Sequence, residues 1–244
     1  MDIIGIMVLV VSFFFLLTVG VPIAYSIGVA GVLTMLVHID SLPALTTYAL
    51  RMASGLDSFA LLAIPFFILA GNIMNSGGIA LRLIDFAKVL VGRLPGGLAV
   101  VNVVANMLFG AISGSAAAAA SAIGSIMTPE MRKAGYDPHF SAAVNISSAT
   151  TGMTIPPSNV LIVYSLASGG VSVSALFMAG YLPGILTGIA LMIVAALFAA
   201  KAGYPVGERV PFKEAMRCFF RAVPSLMLLV IVIGGILAGW FTAT

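Results

Sequence analysis

The chain has 244 residues, 61% of them hydrophobic and only 8% charged, with a mean hydropathy of +1.18. A soluble domain carries roughly a quarter charged residues, so a chain this apolar lacks a water-compatible surface and belongs in a lipid bilayer. Its net charge of +3 comes from basic residues set between apolar runs, a pattern of membrane topology that excludes nucleic acid as a partner.

The opening run MDIIGIMVLVVSFFFLLTVG has Asp2 where a signal peptide has positive charge, and no small-residue cleavage site follows it. It reads as a retained membrane helix. Apolar spans able to cross about 30 Å of hydrocarbon fall at 3–20, 22–37, 58–76, 140–169, 171–200 and 222–243. Residues 38–57 read as a polar loop. Two short segments have amphipathic helical spacing and are too charged to span. In 79–93, Ile79, Leu83, Phe86 and Leu90 oppose Arg82, Asp85 and Lys88. In 211–221, Lys213, Arg217 and Arg221 recur every fourth residue. Each could equally be a solvated connector. The single cysteine, Cys218, permits no disulfide within the chain and reads as inert.

Charge fixes the topology. Of eleven Lys and Arg, Arg51 stands alone; the others cluster as Arg82, Lys88 and Arg93; Arg132 and Lys133; and Lys201, Arg209, Lys213, Arg217 and Arg221. The positive-inside rule puts the clusters in the cytoplasm and the N-terminus and the Arg51 loop in the periplasm. Arg93 and Arg132 then lie on one side, so the apolar stretch 98–127 crosses twice or not at all. Two full crossings need about 40 residues and a turn, more than this stretch has. A re-entrant hairpin fits: two half-length helices meeting at Ser113-Gly114-Ser115, with the alanines at 116–120 allowing close packing. Close helix packing alone would account for those alanines, but not for the Ser-Gly-Ser interruption.

A second interruption lies in NISSATTGMTIPPSNVLIVYS. Pro156 and Pro157 cannot donate backbone hydrogen bonds and disfavour helix before them. The expectation is a helix ending near 150–152, an extended 153–155 and a new helix opening at Pro156; a simple proline kink is the alternative. Paired broken helices at mid-membrane mark a secondary transporter's binding site. No Asp, Glu, Lys, Arg or His occurs in 98–127 or 140–200, which points to Na⁺ rather than a proton as the coupling ion. The candidate sodium ligands are Ser113, Gly114, Ser115, Asn145, Ser148, Gly152 and Thr154. The candidate substrate contacts are Ala116, Pro156, Pro157, Ser158 and Asn159, near helix N-termini that favour an anion. The chain has no CxxC, HExxH or Walker loop, and His38 and His139 show no ligand spacing. No cofactor is expected beyond Na⁺, and an enzymatic role, which would need intramembrane acid–base residues, is not expected.

The segments IPFFILAGNIMNSGGIALRLIDFA, FGAISGSAAAAASAIGSIMTPEMRKAGYD, TTGMTIPPSN and AGYLPGILTGIALMIVA together resemble the large membrane subunit of tripartite ATP-independent periplasmic (TRAP) transporters, over essentially the whole chain. The resemblance implies an all-α polytopic membrane protein with an elevator-type ion-transporter fold. It implies a Na⁺/organic-acid symporter in the bacterial inner membrane, working with a small membrane subunit and a periplasmic substrate-binding protein. The family's first re-entrant hairpin corresponds to 97–127 and its first broken helix to 140–168, within a transport domain at 97–170. Residues 1–96 would be scaffold spans and arm helix; 171–244 would be a scaffold span, a connector and the first span of a second repeat. Family members are nearly twice this long, with two inverted repeats. The expectation is therefore one repeat, a truncated second repeat and about half a binding site, in a fragment, a split gene product or a defective copy. The alternative function is a truncated, non-transporting membrane scaffold.

The topology is testable by labelling single cysteines placed at Ser41, Lys88 and Lys201 after replacement of Cys218. Ser41→Cys should react from the periplasm, and Lys88→Cys and Lys201→Cys only from the cytoplasm. Periplasmic labelling at position 88 would break the parity that requires a hairpin.

Overall fold

The computed structural model describes residues 3–57, 61, 63–207 and 210–240. Arg209, the start of the span at 58–76 and the end of the span at 222–243 lie outside the described residues. Among those described the chain is helical, with no strand. It forms two compact units, Met1–Ser58 and Phe59–Thr244.

In the first unit, α1 (Ile3–Thr18) and α2 (Ile23–His38) pack side by side. Between them Gly20 adopts a positive φ of 87°, and Pro22 opens α2 at its N-cap. The region 38–57 is not the loop its polarity suggested: Ser41–Leu56 forms α3. Leu42, Leu45, Ala49, Met52 and Leu56 recur at three- and four-residue spacing and make one apolar stripe. Pro43 sits in the first turn, where no intrahelical donor is needed. The intervening Ser, Thr and Arg side chains hid that period.

The second unit begins with α4 (Ala63–Ser76) and α5 (Ile79–Val91), whose axes differ by 73° across Gly77-Gly78. The buried face of α5 is Ala80, Leu83, Ile84 and Ala87, rotated from the expected Ile79, Leu83, Phe86 and Leu90; Leu90 is exposed. The alanines let α5 approach both α6 and α12.

The hairpin arms are α6 (Gly97–Ser113) and α7 (Ala116–Lys133), separated by Gly114 and Ser115. The interruption falls where it was expected, but the arms are not half-length. With 17 and 18 residues at about 1.5 Å per residue, they run roughly 25 and 27 Å. The α7 arm continues past Met127 through Pro129 into its charged end. Leu83, Val101, Phe109, Ile123, Met127 and Met131 are buried in the core that joins α5, α6 and α7. A Lys88–Glu130 ion pair at 2.7 Å also links α5 to α7; both side chains are about a third exposed, so it adds little stability.

The second interruption lies later than its sequence suggested. Helix continues through α8 (Pro138–Ala149) and the short α9 (Thr151–Thr154), and α10 (Asn159–Ala167) opens at Asn159 rather than at Pro156. The break is 155–158. Both prolines fall in it, and Ser158 takes the N-cap. A Ser side chain satisfies a first-turn donor, which proline cannot do.

Next come α11 (Val173–Ala202) and α12 (Phe212–Leu237), both long and apolar enough to cross a bilayer; α1, α2 and α6 are shorter apolar helices. The amphipathic segment 211–221 is not a separate connector but the first turns of α12, which runs on through Pro224. The loop after α7 is pinned to the end of α11 by aromatic contacts. The Tyr136 ring stacks 4.3 Å from Tyr204, and its hydroxyl donates to Pro205 O at 3.3 Å. Burial, helped by neighbouring Tyr204 and opposed by the Leu98 backbone, raises the Tyr136 pKa above 10.0, so the phenol remains a donor.

Helix α6 meets α9 backbone to backbone at Gly110 and Gly152: a Cβ added to Gly110 would collide with the Gly152 backbone, and one added to Gly152 would lie 2.6 Å from Gly110 Cα. Gly110→Ala should therefore cost about 1–3 kcal/mol, seen as a lower thermal midpoint of the purified protein in detergent. Gly31→Ala, whose new methyl would meet open space, is the control and should leave the midpoint unchanged or slightly raised. Equal midpoints for the two variants would contradict this crossing.

Candidate functional site

The turn of the hairpin is built from three conformations in sequence. Ser113 ends α6. Gly114 takes a left-handed φ of 63° and donates its N–H to Gly110 O at 2.7 Å. Ser115 is extended and caps α7, its hydroxyl accepting from Ala118 N at 3.4 Å. A side chain at position 114 would be strained by that φ. It would also collide with the second break, since a Cβ there would sit 2.9 Å from Pro157 O.

The break has a matching construction. Ile155 is extended, the Pro156–Pro157 bond is cis, and Ser158 caps α10 by accepting from Leu161 N at 3.4 Å. The Ser158 hydroxyl also donates back to Met153 O. The turn and the break then bond directly: Asn159 N donates to Gly114 O at 3.3 Å. Beside this bond Asn159 Oδ1 is buried without a hydrogen-bond partner, 3.6 Å from the position a Gly114 Cβ would take.

The structure thus brings together Ser113, Gly114 and Ser115 with Pro157, Ser158 and Asn159. Pro156 is buried in the same break, and Ala116, partly exposed, opens α7 beside the turn. It does not bring the other sequence candidates to the turn. Gly152 packs on Gly110 one helical turn earlier. The Thr154 carbonyl faces α11, 2.6 Å from where a Gly180 Cβ would lie. Asn145 and Ser148 join a buried group with Asn102 and Asn106. The oxygens of Ser115 are largely engaged: its hydroxyl caps α7 and its carbonyl accepts from Ala119 N at 3.0 Å. Reading from the sequence missed Asn102 and Asn106, although two asparagines four residues apart in an otherwise apolar run mark a polar helix face.

Electrostatically the junction is neutral, with two capped helix N-termini supplying partial positive charge. Among the described residues no group of His, Cys, Asp or Glu could hold a metal ion. Any ion held here would be bound by carbonyl, hydroxyl and amide oxygens.

Residues 10–244 match the family described as the DctM component of the tripartite ATP-independent periplasmic transporter. The chain is 57% identical to a protein called YgiK, described as uncharacterized, from Salmonella typhimurium, over 98% of this chain and 55% of that one. It is 41% identical to the C4-dicarboxylate TRAP transporter large permease protein DctM of Rhodobacter capsulatus, over 94% of this chain and 54% of that protein. It is 39% identical to the sialic acid TRAP transporter large permease protein SiaM of Vibrio cholerae, over 94% and 53%. The chain spans about half the length of the curated relatives it matches. With both interruptions inside the matched residues and an apolar all-helical architecture around them, the chain belongs to the DctM family of TRAP transporter large permeases, multi-pass proteins of the bacterial inner membrane.

Proposed function

We propose that the chain forms part of the membrane subunit of a Na⁺-coupled secondary transporter that imports a small organic acid. A periplasmic binding protein would deliver the substrate, and a small membrane subunit would complete the assembly. The observation that carries the coupling ion is the buried, unpartnered Asn159 Oδ1 at the junction of Gly114 and Pro157. An orphaned buried acceptor costs about 1–3 kcal/mol, and a hard monovalent cation beside it would remove that cost. Pro157 O and Gly114 O are the neighbouring oxygens able to share the ion, and oxygen donors without formal charge suit Na⁺. The N-termini of α7 and α10, near Ala116 and Ser158, favour the substrate's carboxylate, with Pro156, Pro157 and Asn159 shaping its approach.

The relatives named for C4-dicarboxylate and sialic acid share a carboxylate as their common chemistry, and this sets the proposed substrate class. In this reading 97–170 moves as the transport domain against scaffold elements in 1–96 and 171–244. The non-transporting scaffold reading is disfavoured, because the family match runs through both interruptions.

The test is uptake of labelled succinate and sialic acid, assayed in parallel against Na⁺ concentration, in a complete permease assembly containing these residues. Asn159→Ala should raise the half-saturating Na⁺ concentration on the order of tenfold, as expected for one lost ligand to a charge. Gly114→Ala should abolish uptake. Unaltered Na⁺ dependence in Asn159→Ala would place the ion elsewhere, and uptake indifferent to Na⁺ in the unmodified protein would end the symport reading.

A further inference from the structure

About two helical turns before the hairpin turn, the polar group that collects Asn145 and Ser148 is closed off from solvent. Asn102, Asn106 and Ser148 are fully buried, and Asn145 is 8% exposed. Its centre is Asn106 Nδ2. Four oxygens surround that nitrogen: Asn102 Oδ1 at 2.6 Å, Ser148 Oγ at 2.9 Å, Asn102 O at 3.1 Å and Asn145 Oδ1 at 3.2 Å. The neighbouring asparagines send their own NH₂ donors outward, while the Ser148 hydroxyl stays within the group, 3.2 Å from Asn145 O and 3.4 Å from Asn102 Oδ1. Asn145 Nδ2 donates to Ala120 O on α7 at 2.9 Å, and Asn102 Nδ2 faces the weak acceptor Met131 Sδ at 3.7 Å. Asn106 Oδ1 has no hydrogen-bond partner. The group is therefore rich in acceptors and short of hydrogens, and what Asn106 contributes is its NH₂.

We propose that Asn106 is a positioning residue. Its NH₂ ties hairpin arm α6 to α8, Asn145 extends the tie to α7, and the tie sets the height at which the break 155–158 meets Gly114. The Asn159 N–H bonds Gly114 O at 3.3 Å at the junction itself, and the Ser148 hydroxyl faces Asn102 Oδ1 at 3.4 Å; the Asn106 NH₂ is the donor on α6 that reaches both Asn145 and Ser148 of α8. Gly110 against Gly152 and Gly124 against the Asn145 amide are smooth contacts, which resist separation but not sliding. A directional donor shared between α6 and α8 resists sliding. The consequence for transport rests on the reading of the junction as the Na⁺ site; the tie itself does not.

Two measurements test it. The first is a double-mutant cycle on this chain purified in detergent, with Asn106→Leu, Ser148→Ala and the pair, read as thermal midpoints. Each single variant should melt several degrees lower, and the pair should lose clearly less than the sum, because both remove one contact. Additive shifts would overturn the tie.

The second is Na⁺-dependent uptake by Asn106→Asp in the complete permease. The carboxylate is isosteric but brings no hydrogen, and among buried oxygens its pKa is raised. Of the three helices that form the group, α6 carries no ionisable residue, α8 only His139 in its first turn, and α7 only Glu130, Arg132 and Lys133 near its end. Of the other helices packed on α6, α5 carries Arg82, Asp85 and Lys88, α11 carries Lys201, and α12 carries Lys213, Glu214, Arg217 and Arg221. The hydrogen-bond partners of Asn106 include none of these. At about pH 8 the half-saturating Na⁺ concentration should rise on the order of tenfold, with a smaller change in substrate KM; at about pH 6 protonation returns one donor and should partly restore it. An unchanged Na⁺ half-saturation at the higher pH overturns the positioning role. Tighter Na⁺ binding there also overturns it, because the oxygens would then themselves be holding a cation. If the unmodified permease shows no Na⁺ dependence, the transport reading falls and the melting cycle alone decides the tie.

Discussion

Backbone groups buried away from water must be bonded, and in hydrocarbon the alternatives to a continuous helix are few. Two interruptions in one apolar unit would leave carbonyls and N–H groups exposed at both. Here the interruptions answer one another. The Gly114 carbonyl, freed where α6 ends, accepts the Asn159 N–H at the start of α10. Ser115 and Ser158 satisfy further first-turn donors with their own hydroxyls. Among the side chains of the junction, the Asn159 oxygen is buried without a partner. Set against caps and a backbone bond that close on one another, that oxygen is chemically informative.

Meeting in this way requires backbones to come closer than side chains ordinarily allow. Gly110 and Gly152 touch through their backbones, and Gly180 and Gly184 of α11 admit the Thr154 carbonyl and Ile155 of the break. These glycines are not turn formers; they sit within helices and carry the cost in helix propensity that such positions entail. In exchange the break is held on two sides by smooth surfaces without ionisable groups. A charge in this interior would need a partner. Oriented carbonyls and helix termini give a polar site without that requirement.

Much of this was legible in the sequence, and the exceptions have physical causes. The interruption at Ser113-Gly114-Ser115 falls where it was expected, because a Ser-Gly-Ser break in an apolar run is a one-dimensional property. The arms came out longer than half-length because α7 continues past its apolar part, through Pro129 into Glu130, Arg132 and Lys133; helix need not end where hydrophobicity does. The second break was expected three residues too early. Proline suits a first helical turn, but Ser158 offered a side-chain cap that Pro156 could not, and the cap decided where α10 begins. The region 38–57 was read as a loop because its polar residues masked a helical stripe.

Partnerships among residues were less legible than elements. Asn145 and Ser148 stood out beside the break and were natural ligand candidates, yet their hydrogen-bond partners are Asn102 and Asn106, some forty residues earlier in the chain. Spacing within one helix can show that Asn102 and Asn106 share a face. It cannot show that the face meets α8, because that contact depends on how the hairpin folds back. The same limit applies to Asn159, which reads as one more polar residue after two prolines until the Gly114 turn is laid against it. Both features that matter most chemically, the orphaned Asn159 oxygen and the donor-poor group around Asn106, arise only from the pairing of the hairpin with the broken helix. Each interruption alone would be a local defect in a helix, and the pairing is what joins the hairpin turn to the broken helix.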